Sequence, residues 1–308
     1  MNSLKKTGAA FLLLFAITSC IPHEAPDPDM TPGNLISISG SMEEPGTRTT
    51  LSEGIHTNWV SGDYIGLFSD EVNSGYDNSP YRAQNSASTS EFTGEMEWGS
   101  ASTSHTFYAY YPYDGDASTA TAVPFYLSSV QFQSGANSTS HITGENDFLI
   151  AEPVTVLSPP EAGAISPAVG LTFNHLFSLI EIQVIGMGSL SRVELLGTAP
   201  LTCGSGTVDI TQDPGDGNYS VNIPDGHGNT YAAVQLNSSV SLSSEDPVSI
   251  YMMVLPGTHE TTTIRCKISD SEYILNKTPP TGGFKRGKKY VVTADMAVNL
   301  TFNGTWHE

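Results

Sequence analysis

No long stretch of this 308-residue chain spaces its apolar residues as a helix does. Instead they recur at every second position in short runs, and Gly, Pro, Asn, Asp and Ser bound the runs. A strand turns successive side chains to opposite faces, so this period of two predicts half-buried strands and an all-β fold. "LISISG" from Leu35 alternates around Ile36 and Ile38. "NWVSGDYIGLFS" sets Val60, Tyr64 and Phe68 around a turn at Gly62-Asp63. "TFYAYYPY" at 106–113, "FYLSSVQF" and "DFLIAEPVTV" follow, with a Ser/Asn/Gly-rich loop at 133–146. Strands of this length at this spacing suit β-sandwiches and not βαβ units.

Two later runs are apolar on both faces. In "LTFNHLFSLIEIQVIG", Leu176, Ile180, Ile182 and Val184 share one face of an expected strand, and Phe177, Leu179 and Ile185 share the other. "VSIYMMVLPG" has the same character. Such strands are central or lie under a second layer. "TTIRCKIS" alternates cleanly, with Ile264, Cys266 and Ile268 opposite Arg265 and Lys267. "SPPEAGAISPAVG" at 158–170 reads as a short stiff linker. The expected organisation is therefore a leader at 1–19, a tether at 20–34, a first β-sandwich domain at 35–160 and a second at 161–308.

The leader reading rests on "MNSLKKTGAAFLLLFAITSC". Lys5 and Lys6 precede an apolar run from Ala9 to Ile17, too short to span a bilayer and typical of a signal peptide. "ITSC" resembles the bacterial lipobox, which implies cleavage before Cys20 and addition of acyl chains of the palmitate class to it; several such chains anchor a protein to a membrane. A plain signal peptide with an incidental cysteine is the alternative. "IPHEAPDPDMTPGN" contains nothing able to build a core and reads as a tether. In a bacterium, Asn-x-Ser/Thr sequences such as those at Asn137 and Asn237 are Asn-rich turns.

The formal net charge of -20 sets nucleic acid aside as a partner, because such a surface repels phosphates. Cys203 and Cys266 remain after Cys20. Export makes a disulfide between them chemically possible, and burial as small hydrophobes explains them equally. No nucleophile elbow, zinc-protease, P-loop or dinucleotide signature is present, so no catalytic residue, cofactor or metal site is assigned and the chain is not read as an enzyme. Asp213, Asp216 and Asn218 in "QDPGDGNYS" offer oxygen ligands without EF-hand spacing, and a Pro/Gly hairpin accounts for them as well. His175 reads as a packed residue, and Lys285, Arg286, Lys288 and Lys289 as a solvated turn. Carboxylate pairs such as Glu95 with Glu97 are not placed to face each other across a sugar.

Several stretches in order along the chain resemble the fimbrillin family of type V pilus subunits of Bacteroidales. They are "TRTTLSEG…NWVSGDYIGLFS", "FYAYYPY", "LTFNHLFSLIEIQV", "VLPGTH" and "FKRGKKYVVTADM". The resemblance implies two tandem transthyretin-like β-sandwich domains. It also implies an exported lipoprotein precursor at the outer membrane that a trypsin-like protease clips after an Arg and that then polymerises with other fimbrial subunits, alike or different. Clipping removes the first strand, and the vacated groove takes an extended strand from a neighbour.

On this sequence, the scheme puts the pro-strand at Leu35 to Met42 and the cut between Arg48 and Thr49, after the turn-forming "EPGT". Arg48 as an ordinary strand residue with its head in solvent is the alternative. The donor is the C-terminal segment, with Val298, Leu300 and Phe302 inserting. A tail that stays as a fixed strand of its own second domain would instead suit a tip or accessory subunit. The rival function is a lipid-anchored glycan-binding module with Tyr110, Tyr111 or Trp98 as its stacking platform.

Overall fold

The computed structural model describes residues 35–42, 58–69, 71–72, 77–101, 103–143, 146–159, 166–213, 215, 217–296 and 306. Among them the chain forms twenty strands and no α-helix. The first ten are β1 (Ser37–Met42), β2 (Tyr64–Ser69), β3 (Ser79–Ala83), β4 (Thr89–Thr93), β5 (Ser104–Tyr111), β6 (Val123–Leu127), β7 (Val130–Gln133), β8 (Leu149–Ala151), β9 (Val154–Leu157) and β10 (Ala168–His175). Then come β11 (Ser178–Ile185), β12 (Gly188–Leu196), β13 (Thr202–Val208), β14 (Val221–Asn222), β15 (Gly228–Asn229), β16 (Tyr231–Leu242), β17 (Val248–Val254), β18 (Thr262–Ile268), β19 (Ser271–Lys277) and β20 (Lys289–Asp295).

An eight-stranded sheet runs β2-β3-β4-β1-β10-β8-β5-β9, and a further β2–β5 pairing closes it on itself. It wraps a core that includes Ile38, Trp59, Leu67, Phe92, Phe107 and Phe173. The second half is layered. A three-stranded sheet, β17-β11-β20, faces a five-stranded sheet, β19-β18-β12-β16-β7. Between them lie Ile180, Ile182, Ile250 and Met252 from one side and Val193, Val234, Ile264 and Cys266 from the other. The opposite face of the three-stranded sheet presents Leu179, Tyr251 and Met253 to a third core. Phe125, Leu127, Cys203 and Val208 of the small β6, β13, β14, β15 sheet close it, together with Tyr110 and Phe148 from the first half. Two apolar faces on β11 and β17 are thus what a sheet packed on both sides requires.

The run from Leu171 is two strands and not one. Its first part, β10, pairs with β1 and β8 in the first sheet, and its second, β11, enters the three-stranded sheet. The chain turns at Leu176 and Phe177, so Leu176 joins the third core and does not line up with Ile180. The ladders also do not divide at 160/161. β10 lies after that point and belongs to the first sheet, whereas β6 and β7 lie before it and pair with β13 and β16. A Pro/Gly cluster marks where a chain leaves a ladder. It carries no information on which ladder the chain joins next, because strand partners are chosen over long sequence distances.

β7 does more than extend the five-stranded sheet. Its Gln131 and Gln133 side chains are buried and lie along the edge of β17. The Gln131 amide donates to Met253 O at 2.8 Å and accepts from Met253 N at 2.9 Å. The Gln133 amide donates to Ser249 O at 3.0 Å and accepts from Tyr251 N at 2.9 Å. Asn137 adds a third clasp, its Oδ1 accepting from Ser249 N at 2.7 Å. Carboxamides carry the same donor and acceptor pair as a peptide group, so they complete an edge that another strand would otherwise seek.

Beyond them, His141 Nε2 donates to Tyr251 O at 2.9 Å and leaves its buried Nδ1 without a partner. Burial holds the His141 and His259 imidazoles below their ordinary value of 6.5. The unfolded chain therefore takes up protons near pH 6.5 that the folded chain refuses until lower pH. Stability falls as pH drops through 6.5 toward the lowered folded values. A melting-temperature series from pH 7.5 to about 5 reads this, and the double variant His141→Gln, His259→Gln is expected to flatten the slope.

Candidate functional site: the slot of the first strand

The expected pro-strand is paired along both of its edges in the first sheet. β1 lies between β10, which it meets in parallel from Ser37↔Ala168 to Met42↔Phe173, and β4, which it meets antiparallel from Ile38↔Phe92 to Ser41↔Thr89. An isolated bridge, Leu35↔Glu97, continues the second ladder. Ile36 and Ile38 point inward and are 3% and 0% exposed. Each is worth about 1.5–3 kcal/mol of burial.

The walls of the slot are fitted to this strand. Trp59 Nε1 donates to Gly40 O at 3.0 Å, and the Tyr81 hydroxyl donates to Ile36 O at 3.3 Å. Trp59 packs edge-on against Phe92 and Phe173, with ring centroids at 4.9 and 5.0 Å. Gly40 crosses this aromatic wall at close range. A Cβ there would stand 2.7 Å from the Phe92 ring and 3.2 Å from that of Phe173. Without β1, the slot would present unpaired backbone groups of β4 and β10 over a floor of Trp59, Phe92 and Phe173. Ile38→Ala is expected to cost about 2–4 kcal/mol, read from the denaturant midpoint of the unclipped chain.

The fit of Gly40 and the Trp59 hydrogen bond were not read from the sequence. The "SISGS" pattern, with glycine at a position where alternation calls for an inward side chain, is the signal that could have found them. Cys20, Arg48, Thr49, Val298, Leu300 and Phe302 lie outside the described residues. Trp306 packs on Phe284 with ring centroids 5.3 Å apart, against the core of the second half.

The stacking platform of the rival reading does not survive the fold. Trp98 is 2% exposed and Tyr110 0%, and Tyr111 is half-buried. Trp98 stacks edge-on with His105 and Phe107, and the Tyr110 hydroxyl donates to Asn78 Oδ1 at 2.9 Å. In "TFYAYYPY", Phe107 points into the closed first sheet, whereas Tyr110 lies on its other face and is buried in the third core.

The other candidates resolve as structural parts. His175 is buried with Nδ1 2.6 Å from Asp147 Oδ1, at the point where β10 leaves the first sheet. Cys203 and Cys266 are free thiols in different cores, and burial raises both, Cys266 to about 12. Arg286 donates to the carbonyls of Gly215 and Gly217 at 2.6 and 2.8 Å and lies over the Tyr219 ring, so a guanidinium binds this loop. Lys289 pairs with Glu181 at 2.6 Å, and the pair is mostly buried, not a solvated turn. Burial alone would raise the Glu181 carboxyl, but hydrogen bonds from Lys289, Ser249 and Gln183 outweigh it and hold the carboxyl low. Among the described residues no group of three His, Cys, Asp or Glu could hold a metal ion.

A closed first sheet, a layered second half and a filled strand slot define an all-β architecture. The fimbrillin-like family profile matches residues 47–305, and the chain belongs to that family. Two solved structures share the fold. One, from Bacteroides ovatus and assigned to cell adhesion, superposes with a TM-score of 0.60 at 17% identity, over 90% of this chain and 97% of its own. Another, from Bacteroides uniformis with the same assignment, gives 0.59 at 14% identity, over 89% and 96%. No curated protein matches the chain.

Proposed function

We propose that this chain is a structural subunit of a cell-surface fimbria, built by strand exchange after removal of β1. Family membership supports the fimbrial and non-enzymatic role. The observation that carries the strand-exchange reading is the placement of β1, an N-terminal strand held in the middle of a sheet between β4 and β10. Losing such a strand opens a slot with two unsatisfied ladders and an apolar floor. An incoming strand supplies both backbone bonds and alternate side chains, and so sets its own register.

In this reading Cys20 carries the acyl chains that hold the precursor on the outer membrane, and a protease cuts between Arg48 and Thr49. The cut releases the lipidated tether together with β1. The C-terminal segment of a neighbour then inserts Val298, Leu300 and Phe302. N-terminal sequencing of subunits taken from surface fibres tests it. A chain beginning at Thr49 is the expected result. A blocked Cys20 on every fibre subunit would overturn the processing scheme.

A further inference from the structure

We propose that the cleft between Tyr64 and Tyr113 is a saccharide-binding site, on the outer face of the same sheet as the strand slot and independent of the fimbrial reading. The cleft encloses about 680 Å³ on the outer face of β2, β3 and β4. Its base is a row across three strands, Tyr64 opposite Arg82 and Arg82 opposite Thr93. Tyr64 is 46% exposed, and the next five residues of its strand are buried.

Tyr113 forms the facing wall and is held there. Its backbone N–H donates to Tyr64 O at 2.9 Å. The next residue is held by two bonds. Asn78 Nδ2 donates to Asp114 O at 2.7 Å, and Asp114 N donates to the Tyr110 oxygen at 3.1 Å. A second cleft of about 550 Å³ lies on the other side of Tyr113 and ends at Tyr126, which is 45% exposed. Both volumes fall in the ~300–1,000 Å³ range of small-ligand sites.

The chemistry of the lining selects the ligand. Asp77, Arg82 and Glu95 line the first cleft, and no ion pair joins Arg82 to either carboxylate. A sugar ring has an apolar C–H face that suits an aromatic ring, and an edge of hydroxyls, each of which both donates and accepts. Arg82 offers donors to that edge and the carboxylates offer acceptors. A phosphorylated ligand would meet two carboxylates on a chain of net charge -20. A basic peptide would meet Arg82 in the middle of its path. A neutral oligosaccharide avoids both conflicts. Placed across Tyr113, it would use Tyr64 in one cleft and Tyr126 in the other.

The test is calorimetric titration of the unclipped chain, with β1 in place, with hexaoses of glucose, mannose, xylose and N-acetylglucosamine. At least one is expected to bind with a Kd of about 1 mM or tighter. Tyr64→Ala and Arg82→Ala are each expected to weaken it at least ~10-fold with the melting temperature unchanged. Tyr126→Ala is expected to weaken the hexaose and leave the disaccharide alone, and Tyr273→Ala, at an exposed tyrosine elsewhere, to leave both. Nitration of wild-type tyrosines, read by mass spectrometry, provides a measurement without variants: the bound hexaose should protect Tyr64 and Tyr113 and not Tyr273. If none of the four hexaoses saturates the chain by about 10 mM, or binding survives Tyr64→Ala without Tyr64 being protected, the cleft is not a saccharide site. Either failure leaves the strand slot and its processing untouched.

Discussion

Limited trypsin treatment of the precursor is expected to yield a chain beginning at Thr49 that assembles into an SDS-resistant ladder, and the Arg48→Ala precursor is expected to yield neither. This is the largest effect expected of a single substitution in this protein, because it converts a polymer into a monomer. The physical basis is the position of β1. Its removal uncovers the facing backbone groups of β4 and β10 and the aromatic floor beneath Ile36 and Ile38. Neither wall can reach across to the other to repair the ladder. Filling three apolar pockets with Val298, Leu300 and Phe302 contributes on the order of 5–8 kcal/mol before ordering costs. Strand-to-strand hydrogen bonds on both sides then oppose dissociation. The unclipped precursor is expected to stay monomeric, because its own strand occupies the slot. Gel mobility of unboiled samples, with and without protease, reads the outcome directly. An Arg48→Ala chain that still polymerises would place the processing site elsewhere.

The second large effect concerns the edge of β17. Gln131→Leu with Gln133→Leu keeps the burial of both positions and removes the carboxamides that pair with Ser249 O, Tyr251 N, Met253 N and Met253 O. Tyr251 N, Met253 N and Met253 O are then left buried without partners, at about 1–3 kcal/mol each, whereas Ser249 O keeps the bond from Asn137 N at 3.2 Å. A loss on the order of 5 kcal/mol is expected, visible as a fall in the urea midpoint. The same change bares a strand edge, so self-association in sedimentation is expected to accompany the loss of stability. A double variant as stable and as monomeric as the parent would mean that water or a shifted β7 satisfies those groups.

These two sites differ in how they could be read from the sequence. The first strand was legible as an alternating run, because inward and outward residues of a strand differ in chemistry. Its central place was not, since nothing local to "LISISG" names β4 or β10 as partners. Gln131 and Gln133 look in sequence like the polar positions of an ordinary alternating strand, with Phe132 between them as the core residue. The fold inverts this. Phe132 is exposed and both glutamines are buried, because β7 turns them toward the backbone of β17. The same inversion removed Trp98 and Tyr110 as surface aromatics and left Tyr64 and Tyr126 outside.

What the sequence determined by itself is an all-β class, several of the strands, the alternating faces of β18 and the doubly apolar character of β11 and β17. Each of these follows from side-chain period and turn chemistry, which act over a few residues. What only the tertiary structure decided is which strand lies beside which: β10 with the first sheet, β6 and β7 with the second half, and β1 between two partners far from it along the chain. Backbone hydrogen bonds are chemically identical at every residue except proline, so the choice among partners belongs to the packing of whole layers and not to any run of letters.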